Sequence, residues 1–518
     1  NIKLIINSNM DYTEKLKTKN KPIMVLGTSS GVGKSITVTA ICRILRDLNE
    51  NPFPFKGQNM SNNAWVDLEG GEMAFSQAIQ AFASGRIPSS EMNPILLKPQ
   101  GDSTSEVIHL GKSVGITTAR NYYENWFQSG WVIIKKSLNN IIKSDDNCRL
   151  IIEGAGSPVE MNLIHRDLTN LKIAKYLEAN CILVADIEKG GVFAQIIGTL
   201  ELLRPDEKKL IKGIIINRFR GDISLFEEGK TWIENKTKIP ILGILPSLND
   251  IFPPEDSLDL LERKSTNKIS ELEIGIIKFP SISNFSDFDP LENEDSIKLN
   301  WINHSQNLDG FDLIILPGTK QTIKDLFFLY ESGLLKNIQE YSKRNGNILG
   351  ICGGLQMLGE YLEDPHSKEG LNSSRKKSFK GIGLLPLKTI FSKDKITKRI
   401  TCYSNWPCTE KIDGFEIHNG ITKIIKKDNS SNISKIFKEN SLGWYNNCNE
   451  KGIIAGTYIH GIFENDDWRI GYLNFIRAQK GIHLLDNTKI PYKIKREAII
   501  DKLAFHFKKH INISSLLN

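Results

Sequence analysis

From Pro22 the chain reads PIMVLG, then TSSGVGKS, then a helical pattern from about Ser35 to Leu48. A short buried strand that runs into a glycine loop and out into a helix constrains the fold severely. Glycines let successive backbone N–H groups converge on an anion, and the helix dipole adds to the attraction. Such a loop belongs at the end of a strand in a parallel sheet. Further apolar strand candidates follow at 149–153, 181–186, 213–217 and 240–244, with helical patterns between them such as 168–178 and 192–203. Strands alternating with helices predict a mostly parallel sheet covered on both faces. The stretch 246–271, PSLNDIFPPEDSLDLLERKSTNKISE, is polar and proline-containing, as a linker is. A second alternating series then begins at 273 and continues at 312–316, 347–351 and 453–457. The expected organisation is a phosphate-loop domain at 21–245, a linker at 246–271, a second α/β domain at 272–480 and a helical tail at 481–518.

Composition bounds the function classes. A chain of 518 residues exceeds one ordinary core. Its seven cysteines include no CxxC pair, which fits a reducing cytoplasm and argues against structural zinc. The net charge of +7 comes from scattered lysines, so no nucleic-acid partner is expected. No stretch approaches the ~18 apolar residues of a membrane span. The N-terminal NIKLIINSNMDYTEKLKTKNK is too polar for a signal peptide, so a cytoplasmic protein without a membrane partner is expected. The oligomeric state is not legible.

Within the loop, Gly31 and Gly33 would admit the phosphates, Lys34 would reach the outer ones and Ser35 would ligate Mg²⁺. The usual first glycine falls at Thr28, with Gly27 displaced by one. Mg²⁺ on a triphosphate needs a carboxylate at a neighbouring strand end, and Glu153 in LIIEGAG supplies one. Glu72 is a second metal candidate. Lys56, in PFKGQNMSNN, is a candidate nucleotide contact, and Gln58, Asn59 and Asp186 are candidate substrate contacts. Glu69 is a further acid of the same region. Read singly, each of these is an ordinary polar residue. ATP and Mg²⁺ are the cofactors this half predicts.

GICGGLQMLG, 350–359, places Cys352 between a strand and a helix with glycines two residues to either side. That is the spacing of a nucleophile elbow with cysteine in place of serine. The helix start favours a thiolate, the N–H of Gly353 would face an oxyanion, and Gly318 in ILPGTK offers a second donor. A cysteine nucleophile needs a base. His460, in GTYIHGIF after the strand at 453–457, has the required chain order, and His418 in GFEIHNG is a weaker rival.

The second half resembles class I (triad-type) glutamine amidotransferases, and within them the subgroup that builds cobalamin, through GICGGLQMLG, GFEIHNG and GTYIHGIF. Other members of the class carry Glu two residues after the histidine, where this chain has Ile462. Glu464 as orienter, or a Cys–His dyad, are the alternatives. The first half resembles the dethiobiotin-synthetase-like side branch of P-loop proteins. It lacks the extra lysine of MinD-like ATPases, whose place is taken by Ser29. PFKGQNMSNNA, MNPILLKPQGDSTSEVIHLGK, IIEGAGSPVEMNL, VADIEKGGVFAQIIGTL and GIIINRFRGD resemble the cobyric acid synthase branch, and the likeness runs from about 21 to 480.

That resemblance implies an ATP- and glutamine-dependent ligase. It would amidate the b, d, e and g carboxylates of adenosylcobyrinic acid a,c-diamide to give adenosylcobyric acid. Partners would be the corrinoid, glutamine and ATP, with cobalt only inside the substrate. Alternatives are a,c-diamide synthesis, amidation of a cell-wall precursor, and a P-loop switch carrying a degenerate amidotransferase-like binding module.

Overall fold

The computed structural model describes residues 15–100, 103–162, 166–247, 270–369, 377–425, 433–438, 441–449, 452–486 and 490–512. Most of the expected linker, and the ends of both tails, lie outside these residues.

The first half is built on a six-stranded, all-parallel sheet. Its order is Ile241–Pro246, Ile211–Phe219, Asn180–Asp186, Ile23–Gly27, Arg149–Glu153 and Pro52–Phe55. Helices cover both faces, so its inner strands are continuous apolar runs rather than alternating ones. Chain order reverses across Ile23–Gly27, and the loops after it and its two neighbours open at one edge. The glycine loop, Glu153 and Asp186 therefore meet there. The strand Pro52–Phe55 carries no strand pattern in the sequence, because two prolines interrupt it. It is an edge strand, where a missing N–H costs little.

The second half holds a seven-stranded sheet ordered Ile297–Ile302, Leu272–Ile277, Leu313–Leu316, Ile348–Ile351, Gly452–Thr457, Gly443–Asn449 and Ile433–Lys435. The first five are parallel and the last two antiparallel. A long antiparallel ribbon, Leu387–Tyr403 with Lys411–Ile424, leans from this sheet toward the first half. There Trp65 sits against Phe415, ring centroids 5.4 Å apart, with the Arg399 guanidinium 5.0 Å from its ring.

The tail is structural. The helix Tyr492–His510 lays Ile500, Leu503, Ala504 and Phe507 into the core around the helix Lys34–Asp47. The buried Arg43 holds Glu497 at 2.5 Å and Asp501 at 2.6 Å. Ile511 then bridges to Gly243 at the sheet edge. At its other end Arg496 reaches Glu464 of the second half, 3.3 Å away. Among the described residues no helix is long and apolar enough to cross a membrane.

Phe507 is 1% exposed although it lies far from the rest of that core in sequence. Phe507→Ala should cost about 3–4 kcal/mol by cavity formation. Urea unfolding would check it, and an unchanged midpoint would mean that the tail is not part of this core.

Candidate active sites

At the phosphate loop, Gly31 and Gly33 have φ of 71° and 97°, which side chains rarely adopt. A Cβ on Gly33 would also lie 2.3 Å from the amide nitrogen of Asn217, which donates to Val32 O at 2.8 Å. Asn217 thus fixes the loop from the strand Ile211–Phe219, two places away in the sheet, a role the sequence reading missed. Lys34 folds back over the loop, donating to Ser29 O at 2.9 Å and Gly156 O at 3.2 Å. Ser35 donates to Glu153 at 2.7 Å, and Lys56 sits 2.5 Å from the same carboxylate oxygen. Glu153 also accepts from Gln77 at 3.2 Å and from Gln80. Burial opposes its charge, but the ammonium of Lys56 and these hydrogen bonds hold the carboxyl below its ordinary range.

The other first-half candidates divide. Asn59 donates to Gln77 at 2.8 Å and so belongs to the second layer around Glu153. Gln58 accepts from Tyr122 at 2.5 Å. Asp186 pairs with Arg218 at 2.8 Å at the next strand end, and Glu69 is exposed on a turn. Glu72 does not join Ser35 and Glu153. It is buried against Lys98 at 2.6 Å and Lys395 at 2.5 Å. Lys395 in turn lies 3.2 Å from Glu106, which Lys320 holds at 2.5 Å. Its tie to two lysines could not be read from a single chain position.

Ser35 and Glu153 together offer one hydroxyl and one carboxylate oxygen, the sparse protein donor set that Mg²⁺ takes when phosphates and water complete its shell. Among the described residues no group of three or more His, Cys, Asp or Glu forms a metal cage.

At the elbow, Cys352 has φ 51° and ψ −105°, a strained geometry for a residue with a side chain. The flanking glycines make it affordable: a Cβ on Gly354 would lie 2.0 Å from Leu316 O, and one on Gly350 2.6 Å from the backbone at Gly354. Helix and strand can therefore touch. Gly353 begins the helix beside the 318–319 loop, where its Cβ would stand 3.2 Å from the backbone nitrogen of Thr319. The two predicted oxyanion segments are thus neighbours.

Cys352 and His460 line one pocket, where the thiol donates to Ile417 O at 3.3 Å. Nδ1 of His460 meets Asp287 Oδ2 at 2.7 Å, and Asp287 Oδ1 accepts from Gly461 N at 2.8 Å. Burial opposes the imidazolium, yet the charge and hydrogen bond of Asp287, with those of Cys352, lift His460 to about 10. Both sequence alternatives for the third position are corrected: the partner is Asp287, and Glu464 turns instead to Arg496. His418 is no rival base, because Nε2 contacts Glu416 at 2.9 Å and Nδ1 contacts Gly420 O at 2.8 Å. Burial pushes the thiols of Cys42 and Cys181 up to about 12 and those of Cys148 and Cys408 to about 11, as inert cysteines require.

Cys352 and His460 open into a pocket that also takes in Lys98, Lys320, Glu369, Lys395 and Asn419. Lys98 belongs to the first half, so both halves wall the pocket. Glu369 was not singled out in the sequence. Its carboxyl, which accepts from Ile323 N at 3.3 Å, is raised by burial to about 7.

Comparison with known proteins places both halves. Residues 23–257 match the CobQ/CobB/MinD/ParA nucleotide binding domain, and residues 273–468 match the CobB/CobQ-like glutamine amidotransferase domain. A cobyric acid synthase of Prochlorococcus marinus strain AS9601 is 68% identical over 509 residues, 98% of this chain and 100% of that protein. The one from strain MIT 9515 is 69% identical over 510 residues, with the same coverage of both chains. A more distant one, from strain NATL2A, is 59% identical over 499 residues, 96% of this chain and 99% of that protein. At that identity over nearly its whole length, this chain belongs to the cobyric acid synthase family.

Proposed function

We propose that the protein amidates the b, d, e and g carboxylates of adenosylcobyrinic acid a,c-diamide, giving adenosylcobyric acid, with glutamine as nitrogen donor and ATP as activator. The observation that carries this reading is the row Cys352–His460–Asp287, opening into a pocket walled partly by the phosphate-loop half. A glutaminase site that borrows a wall from a nucleotide-binding half suits an enzyme that makes ammonia in one place and uses it in another. The functional division follows the expected domains, 21–245 for activation and 272–480 for glutamine hydrolysis.

In the second half, Cys352 Sγ attacks the side-chain amide carbon of glutamine. The N–H groups near Gly353 and Gly318 face the developing oxyanion. His460 gives its proton to the leaving nitrogen, which departs as ammonia. Water activated by His460 then cleaves the thioester and frees glutamate. Asp287 keeps the imidazole in place and stabilises its charged form. Glu369 presents a buried carboxylate suited to the α-ammonium of glutamine.

In the first half, a substrate carboxylate oxygen takes the γ-phosphoryl group of ATP, releasing ADP. Ammonia attacks the resulting acyl carbon, and phosphate leaves with loss of one proton. Gly31, Gly33 and Lys34 would bind and orient the phosphates, and Ser35 and Glu153 would hold Mg²⁺, which supplies charge neutralisation. Lys56 holds Glu153 in place, and Asp186, Gln58 and Asn59 are the acceptor contacts proposed from the sequence.

The test is product mass with ATP, Mg²⁺, glutamine and the a,c-diamide. Four successive amidations are expected. Cys352→Ala should abolish the glutamine-supported reaction and retain the ammonia-supported one. A product with fewer added amides would give the acceptor role to another carboxylate set.

Two further outcomes follow from the charges at the pocket. Asp287→Asn removes the charge that holds the proton on His460, so burial pulls its pKa down from about 10. Glutaminase turnover should fall roughly 10²-fold or more, and the alkaline limb of its pH profile should move toward neutrality. Glu369 loses its charge as pH falls through about 7. The KM for glutamine should therefore rise below pH 7, and Glu369→Gln should have a high KM at every pH with little change in kcat. A pH-independent KM in the wild-type protein would remove Glu369 from glutamine binding.

A further inference from the structure

The turn that carries Asp287 is held from the other half of the protein. Residues 61–64 of the first half lie against residues 284–286 of the second. Asn63 Oδ1 accepts from the hydroxyl of Ser286 at 2.9 Å and from its backbone N–H at 3.4 Å. Asn284 Oδ1 accepts from Ala64 N at 3.0 Å, and Asn284 N donates to Asn62 O at 3.3 Å. Asn63, Asn284 and Ser286 are 4%, 2% and 8% exposed, so water does not compete for these bonds. Asn284 is in the left-handed conformation, φ 52°, and its carbonyl accepts from Asp287 N at 3.0 Å. The bonds from Asn63 and Ala64 therefore end one turn of chain from the carboxylate that fixes His460.

Asn63 is itself anchored on the phosphate side. Its carbonyl accepts from Phe75 N at 3.0 Å, at the start of the helix Phe75–Ala83. That helix carries Gln77 and Gln80, both of which donate to Glu153. Seven residues before Asn63, Lys56 contacts the same carboxylate. The segment thus has its root in the first half's candidate site and its tip on the Asp287 turn.

We infer that Asn63 is a positioning residue for glutamine hydrolysis, acting through Ser286 on Asp287, so that the orientation of His460 depends on the half of the protein that consumes the ammonia. Asn63 touches no reacting atom. Its work is to hold a short, strained turn in the one arrangement that puts a carboxylate oxygen on Nδ1 and another on Gly461 N. Two hydrogen bonds accepted by one buried amide oxygen do this without introducing a charge beside Asp287.

The inference rests on the glutaminase reading above. Its test is a double-mutant cycle on glutaminase turnover with Asn63→Ala, Asp287→Asn and the pair. Asn63→Ala should lower kcat about tenfold, the order of one lost net hydrogen bond, and leave the KM for glutamine close to the wild-type value. In the Asp287→Asn background the same change should have little further effect, because its route to His460 is already cut. Amidation supported by free ammonia should proceed as in the wild-type protein, which reports a folded and active first half. If Asn63→Ala abolishes that activity too, Ser286→Ala removes the hydroxyl from the opposite side and should show the same non-additivity. Effects that multiply in the pair, or an unchanged kcat, would overturn the inference. A wild-type protein that hydrolyses no glutamine would instead overturn the glutaminase reading.

Discussion

Five buried charges, Glu72, Lys98, Glu106, Lys320 and Lys395, set how the two halves meet. Lys320 and Lys395 come from the second half and reach across to the glutamates of the first. Burial penalises every member, yet the three lysines hold Glu106 well below the ordinary carboxylate range. Burying charges and pairing them nearly cancel, so a cluster like this adds little net stability. Its force is negative: any other docking would strand a charge without its partner at a cost of several kcal/mol. The apolar contact of Trp65 with Phe415 is less demanding, because rings tolerate sliding where ion pairs do not. With register fixed in this way, the pocket around Cys352 acquires Lys98 as a wall and the Asp287 turn acquires its supports.

The two candidate centres use one physical device. Each is a loop at the end of a parallel strand, opening a helix, with glycines where a side chain would collide. In the proposed function, the backbone N–H groups at 27–35 would converge on phosphate oxygens, and those at 350–354 would face a carbonyl that becomes an oxyanion. The difference lies in the side chain at the turn. On the proposed function, Lys34 would bring a positive charge to an anion that is already formed, while Cys352 would bring a nucleophile and need a base. The second centre would then require His460 and a carboxylate behind it, and the first mainly charge neutralisation.

Much of this was legible because it is local. The glycine loop, the strand-end acid Glu153, the elbow and the histidine after a strand each sit in a short stretch whose residue types dictate its geometry. Most of the parallel strands showed as apolar runs, though not the edge strand Ile297–Ile302, which is only partly buried. The ribbon 387–424 did not, since its faces differ in burial along its length and it lies between halves rather than in a sheet core. The strand Pro52–Phe55 was hidden by prolines that an edge position tolerates. Glu72 looked like a metal ligand because a sequence cannot show that Lys98 and Lys395 are its neighbours. Asp287 was missed for the same reason: 173 positions separate it from His460, and SNFSDFDP has no local feature that marks one of its acids.

The position two residues beyond the histidine explains where the carboxylate had to come from. Ile462 fills it, fully buried in the core that includes Phe285 and Phe463. A charged side chain there would lose that packing and would need a partner of its own. Glu464, next on the same turn, is near enough to be affected by Asp287 but is committed to Arg496 on the C-terminal helix. An orienting acid could therefore arrive only from another element, and the turn at 284–288 packs on the turn after His460. That turn lies at the junction of the halves, so its geometry answers to the first half as well as to the second. A triad completed from within one loop would be indifferent to docking; one completed from the junction is not.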